Sequence, residues 1–340
     1  MKKTLVALAT LAAVGVASAE VTLYGKLDVG LSSSKKDGEA SQGVQFGSGN
    51  YEGSRVGLKG SSDIADGVKG IFQVEGGLGA TDGSFSSFNR EAFFGLVSSY
   101  GTVSVGRMWT PYDSAFNDAL EYNGFSAMGK AFNSGIHGDN GMDGSGASKN
   151  AIQYSTPNFS GFTASVMYGS NADATRNAIT GVETSATNYT GLGLNYASGP
   201  YGVSLATEKV TTKLQDASAA AGDYSNAWIL SGYYDLGMAK LFAAVNGATA
   251  DSGPKNAGFA LGVSVPVSKA MTVGLGYATE STTKSGLSDG KVNSTGVQVV
   301  YAWNAATAIY GGYRSADTTK LGSTASASES KFATGVRYNF

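Results

Sequence analysis

The chain reads as all-β: an antiparallel barrel of 16 strands that crosses a membrane. Three observations carry this reading. Apolar residues alternate with small or polar ones to the end of the chain, short and long connections alternate between the runs, and glycine and aromatics are abundant.

The alternation comes first. Met271, Val273, Leu275 and Tyr277 interleave with Thr272, Gly274, Gly276 and Ala278, and Phe259, Leu261, Val263 and Val265 interleave with Ala260, Gly262 and Ser264. Tyr201, Val203 and Leu205 do the same, as do Val21, Leu23, Leu27 and Val29 against Thr22, Tyr24, Lys26 and Asp28. Period 2 means strands with one apolar face and one small or polar face.

The connections decide which solvent the apolar face meets. Short turns fall at 63–67, 98–101, 157–161, 198–200, 235–238, 266–270 and 304–306. Between them lie longer polar stretches at 32–46, 79–89, 110–149, 170–187, 210–224, 250–256, 281–291 and 316–328. Seven short and eight long connections join 16 strands, with turns at one rim and loops at the other. An even count sorted in this way fits a transmembrane barrel, whereas a soluble sandwich has no reason to sort its loops.

Composition agrees. Gly is 49 of 340 residues, Pro only 5, Tyr 18 and Phe 15, a mixture suited to crowded lumens and interfacial girdles. There is no cysteine, so stability rests on the closed sheet rather than on disulfides. Lys2 and Lys3, the apolar run 5–16 and Ala17-Ser18-Ala19 have the form of a secretory leader over 1–19. The barrel is then expected over 20–340, starting at Glu20. Without the two leader lysines, 22 basic residues face 26 acidic ones, and the basic residues are scattered, which speaks against a nucleic-acid partner.

In hydrocarbon every backbone donor and acceptor must be paired internally, so the last strand, 331–340, must close on the first. Phe332, Val336, Tyr338 and Phe340 form its apolar face, and Lys331, Gly335, Arg337 and Asn339 the other. Charges turned toward lipid would cost roughly 2–4 kcal/mol near the midplane, so this second face is expected to line the lumen. Tyr100, Phe159, Phe162, Tyr201, Tyr234 and Trp303 lie near the short turns, as an interfacial girdle requires.

Several short motifs then stand in a telling order: Val21-Thr22-Leu23-Tyr24-Gly25, Ser54-Arg55-Val56-Gly57-Leu58-Lys59-Gly60, Phe72-Gln73-Val74-Glu75, Asn89-Arg90-Glu91-Ala92-Phe93, Gly106-Arg107 and the final Tyr338-Asn339-Phe340. Over nearly its whole length the chain resembles the general diffusion porins of Gram-negative outer membranes, in particular the β-proteobacterial and neisserial type. The resemblance implies a homotrimer of water-filled channels for ions and small hydrophilic solutes. It also implies a long third loop folded into each pore, and a terminal aromatic, here Phe340, read by the outer-membrane assembly machinery. No cofactor is implied.

On this reading 110–149 is the constriction loop, with Asp113, Asp118 and Glu121 in its first half. Parity puts Arg55 and Lys59 on one strand face and Glu75 with Gln73 on the next, and Arg90 matches a family arginine on the barrel wall. A positive wall of Arg55, Lys59 and Arg90 would then face the loop acids, with Glu75 beside the arginines. Two opposite charges about 10 Å apart interact by ~0.4 kcal/mol in bulk water and ~1.7 kcal/mol at an effective dielectric of 20. Several aligned pairs sum to a filter. Relatives often carry a further inward arginine where this chain has Gln153. Lys26, Arg314 and Arg337 are luminal by parity and Asp28 opposes them, so a weak anion preference is expected.

Arg107 follows the outward parity of Val103 and Val105, and either register of the preceding strand sends Arg90 or Glu91 outward as well. The expected resolution is a neighbouring barrel against these strands, placing Arg107 at a trimer interface. A local bulge that shifts parity is the alternative. Three other functions compete with this reading. An enzyme would need a nucleophile and base, and the chain offers one histidine, His137, in a loose Gly- and Asn-rich segment, 134–148. A substrate-specific channel would want an aromatic path, for which Tyr24, Phe94, Tyr233, Phe242 and Tyr310 are dispersed candidates. An adhesin remains the third class.

Overall fold

The computed structural model describes residues 20–340 except 41, 120–124, 133–146, 172–184, 215–223 and 252. The expected leader, 1–19, lies outside the described residues. Along the chain come β1 (Glu20–Lys36), β2 (Gln42–Ser48), β3 (Arg55–Ala65), β4 (Val68–Leu78), β5 (Phe85–Ser98) and β6 (Gly101–Trp109). Two short helices follow, α1 (Pro111–Ala119) and α2 (Ala127–Ala131). Then come β7 (Ala147–Ser155), β8 (Phe162–Asn171), β9 (Ser185–Ser198), β10 (Tyr201–Leu214), β11 (Tyr224–Asp235) and β12 (Lys240–Ala250). The chain ends with β13 (Lys255–Pro266), β14 (Met271–Thr283), β15 (Gly290–Ala302), β16 (Thr307–Thr319) and β17 (Ser326–Asn339).

Each barrel strand pairs antiparallel with the next, and β1 pairs with β17 from Lys26↔Asn339 to Lys36↔Glu329, so the sheet closes. Phe340 completes the seam: its carbonyl accepts from Gly25 N (2.9 Å) and its N–H donates to Gly25 O (3.1 Å). The 17 segments make 16 barrel strands, because β2 and β3 share one position. β2 pairs with Val29–Ser34 of β1 and β3 with Glu20–Lys26.

The apolar residues are on the outside. Val203 and Leu205 of β10 are exposed, while Gly202, Ser204, Ala206 and Glu208 between them are buried. The same inversion runs around the wall, with Leu241 and Val245, Leu261, Leu275, Val297, Ile309 and Val336 all exposed. A continuous exposed apolar belt is tolerable only in lipid. No described helix is long and apolar enough to cross a membrane, so the crossing is made by strands. At the short-turn rim, Phe162, Tyr196, Tyr201 and Tyr234 form a chain of ring contacts with centroids 4.3, 6.0 and 6.4 Å apart. Tyr100, Phe159 and Trp303 are likewise exposed there, giving the expected girdle.

Two features differ from the expected layout. Strands overrun the long connections, so 32–46 shrinks to 37–41, 281–291 to 284–289 and 316–328 to 320–325. Above the lipid both faces of a strand are wet. Alternation therefore fades, as in Ser32-Ser33-Ser34, while ladder pairing continues. The second barrel strand is also broken at 49–54, a short inset that alternation did not reveal.

Candidate functional site

Thr110 ends β6 and starts the long loop. Its hydroxyl accepts from Asp113 N (3.1 Å), Pro111 occupies the first helical position, and Asp113 sits in the first turn near the positive helix end. Through Tyr112 and Ala115, α1 packs on Ala206, Ala227, Ile229, Ala248 and Ala250 of β10–β12. Ser231 of β11 donates to the Ala115 carbonyl (2.6 Å).

The loop then turns through Ser126, whose hydroxyl caps α2 by accepting from Gly129 N (3.1 Å). Met128, Ala131 and Phe132 pack on Ala244, Ala260, Ala278 and Val292. Glycine makes this possible. A Cβ added at Gly296 would lie 2.0 Å from the Phe125 carbonyl oxygen, and one at Gly312 would lie 2.6 Å from the Phe125 ring. The small residues of the inner face thus form a seat for the loop, which lies inside the barrel.

The other half of the wall carries charge. Glu75 on β4 is buried and accepts from Arg90 Nε of β5 (2.5 Å) and from the Tyr24 hydroxyl of β1 (2.9 Å), with Arg55 Nε of β3 at 3.7 Å. Arg90 also lies over the Trp109 ring (4.9 Å), and Lys59 over Tyr24 (5.2 Å). Further round, Glu329 of β17 joins Arg314 of β16 (3.3 Å) to Lys130 of α2 (2.8 Å).

Between these groups sits the inset 49–54. Asp28 of β1 is fully buried and holds it: one carboxylate oxygen accepts from Tyr51 N (2.9 Å) and Glu52 N (2.6 Å), the other from the Tyr310 hydroxyl (2.5 Å). Tyr51 stacks on Tyr310 (5.0 Å) and meets Phe125 of the loop (6.2 Å). Glu52 is thereby placed against Arg337 (2.6 Å) and Lys26.

Of the residues singled out from sequence, Lys26, Asp28, Arg55, Lys59, Glu75, Arg90 and Arg337 come together on β1, β3, β4, β5 and β17. Arg314 lies beside them on β16. Asp113 is on α1, across the lumen: α1 packs on β10, which stands eight barrel positions from β1 in a ring of 16. Its carboxylate accepts from Asn117 (2.7 Å). Gln153 of β7 donates to the Ser155 hydroxyl (3.1 Å). The side chain of Asp118, and Glu121 and His137 entirely, lie outside the described residues, as does most of 134–148.

Two local readings change. Arg90 and Glu91 do not split between the faces, because the β4–β5 register shifts between Glu75 and Gly77. Ser87 (φ 41°) takes up the bulge, with its carbonyl in the space left by Gly76, so Arg90 reaches Glu75 and Glu91 accepts from Gln73. Phe94, an inward candidate, is exposed beside Val105 on the outer face. Arg107, half-buried, donates from Nε to the Asn89 carbonyl (2.5 Å) next to a second register shift at Gly106 (φ 139°). Glu52 was missed altogether. The run Gly47-Ser48-Gly49-Asn50-Tyr51-Glu52-Gly53, a turn-like composition inside a strand, was the available signal.

Comparison with known proteins agrees with this architecture. The model of the Gram-negative porin family matches residues 4–321. The outer membrane porin protein 32 of Delftia acidovorans is 31% identical over 323 residues, 92% of this chain and 88% of that protein. An outer membrane porin of Bordetella pertussis is 30% identical over 78% of this chain and 74% of its own length. Among solved structures, the anion-selective porin from Comamonas acidovorans superposes with a TM-score of 0.77 at 25% identity, covering 95% of this chain and all of that one. The trimer form of OmpT from Vibrio cholerae, at 16% identity and a TM-score of 0.71, shows the shared fold. With a closed 16-strand barrel, an apolar exterior and a loop seated inside, the chain belongs to the Gram-negative porin family of outer-membrane channels.

Proposed function

We infer that this porin passes small hydrophilic solutes with a modest preference for anions, through a neck between α1 and the charged wall. The observation that carries this is the balance on that wall. Seven cations (Lys26, Arg55, Lys59, Arg90, Arg314, Lys331 and Arg337) stand with five carboxylates (Asp28, Glu52, Glu75, Glu91 and Glu329). The excess is small, and Asp113 on α1 opposes it from the far side. The field across the neck is therefore directed, yet the net selectivity it produces is weak. Salt should weaken it further, since the Debye length falls to about 3 Å at 1 M. The name of the Comamonas relative supports the sign. Gln153, a neutral amide on β7, supports the modest size.

The working unit in this reading is a homotrimer, with β5 and β6 facing neighbouring barrels. Half-buried Arg107 in an outward register is what supports that placement. Phe340, exposed beside Tyr338 at the seam, would be the assembly signal, and 1–19 the leader that directs export. Purified protein in a planar bilayer should give conductance steps in groups of three, ohmic in salt. Arg107→Ala should lower the temperature at which trimers dissociate on semi-native gels. Properly folded protein without channel activity would contradict the function, and an unchanged dissociation temperature would contradict the interface.

A further inference from the structure

The outer face of β9–β14 is layered in a way the lumen does not explain. Register aligns one row as Leu194, Leu205, Leu230, Val245 and Phe259, all apolar. Two residues nearer the long loops the row runs Leu192, Thr207, Trp228, Gly247 and Ala257, with Leu192 and Trp228 exposed. Two residues further, the row reads Thr190, Lys209, Asn226, Thr249, Lys255 and Thr283. The Trp228 indole covers Gly247, and small Ala257 beside it leaves a depression of about 700 Å³ below the polar row.

Height matters as much as chemistry. Lys209 lies on β10 beyond the girdle residue Tyr201, a rise of about 20 Å at ~3.4 Å per residue and a tilt near 40°. Lys255 stands about 26 Å above Val265 on the same arithmetic. Both therefore reach the upper edge of an apolar band about 25 Å tall, on the side of the long loops, which face outward from the cell. Neither lysine pairs with a carboxylate among the described residues. Three strand spacings separate them, about 14 Å.

We propose that this groove binds a phosphorylated amphiphile of the outer leaflet. Lys209 and Lys255 hold the phosphates of a diglucosamine head, and the Thr and Asn row meets its hydroxyls. An acyl chain lies over Ala257 against Trp228, whose indole covers Gly247. A second copy of the chain fits the surface less well, since lysines are depleted from interface cores. The face is also far around the barrel from β5 and β6.

The test uses delipidated, folded trimer in detergent and native mass spectrometry with two probes: bisphosphorylated lipid A and its dephosphorylated form. Wild type should bind the phosphorylated probe about tenfold more tightly. The double variant Lys209→Ala, Lys255→Ala should lose that preference with unchanged channel conductance, and the double Arg variant should keep it. Equal binding of both probes, or the same preference in the double Ala variant, would overturn the proposal. So would competition by inorganic phosphate as effective as the lipid, which would mark a free-anion site. Loss of the trimer in the double Ala variant, with the Arg variant intact, would assign the face to subunit contact and equally end the lipid reading.

Discussion

The two halves of the inner wall follow one backbone rule and use it for opposite ends. From β10 to β15 the inward positions are rich in Ala, Gly and Ser, with Glu208, Asn246 and Glu280 buried among them, and they disappear beneath α1, Phe125 and α2. From β17 round to β5 the inward positions are Arg, Lys and Glu. A lumen-facing position need only avoid lipid. Whether it holds a methyl group or a guanidinium depends on what it meets, a folded segment or a column of water. The glycine-rich half fixes the width of the path, and the charged half fixes its field.

The comparison can be broken most forcefully at the loop seat. Gly296→Val places atoms where the Phe125 carbonyl now lies, and overpacking of this kind costs ~1–3 kcal/mol. The loop should lift from β14 and β15 and single-channel conductance should rise, with little change in ion preference. A conductance equal to wild type would mean that the seat does not set the width.

The charged half gives a smaller, complementary effect. Glu52→Gln removes the carboxylate shared by Lys26 and Arg337, leaving backbone and packing in place. A unit charge ~5 Å from the ion path acts with ~0.8 kcal/mol in water, so anion permeability should rise, and cation permeability fall, by up to about fourfold each. Reversal potentials across a salt gradient measure it, and conductance should barely move. A shift toward cations would show that the wall does not act as described.

The smallest effect is in pH. Burial, then the nearby Glu208 and Glu280, raise the Tyr112 pKa well above the ordinary tyrosine value. The neutral phenol is therefore favoured in the folded loop. Its contribution is complete below pH ~10, where a free tyrosine ionises, and declines as pH rises beyond that. Loop stability, followed by proteolysis of the 110–149 segment, should fall above pH 10 in wild type and less in Tyr112→Phe. Identical pH dependence would remove Tyr112 from the account.

The barrel was legible because lipid imposes one rule on every strand. Any outward polar run is costly, so alternation and strand count survive in the sequence. The constriction was legible only where parity stayed intact. Arg55, Glu75 and Arg337 could be placed by counting residues from an apolar neighbour. Arg90 and Glu91 could not, because the bulge at Ser87 changes the count, and Phe94 was ambiguous for the same reason. Glu52 lies in a break held by long-range bonds to Asp28, a partner 24 positions away, and no local period records such a bond. The small residues opposite the loop are indistinguishable in sequence from generic barrel composition, and their role follows only from Phe125 and α2 lying on them.

The sign of the field in the neck is read from the zero-current potential of wild-type channels across a tenfold salt gradient, at low and then at high mean ionic strength. The account predicts a modest potential of anion-selective sign that shrinks as salt rises, because the wall's small cationic excess is screened. A cation-selective sign at low salt would contradict it, giving control of the neck to Asp113 and the other acids of the loop.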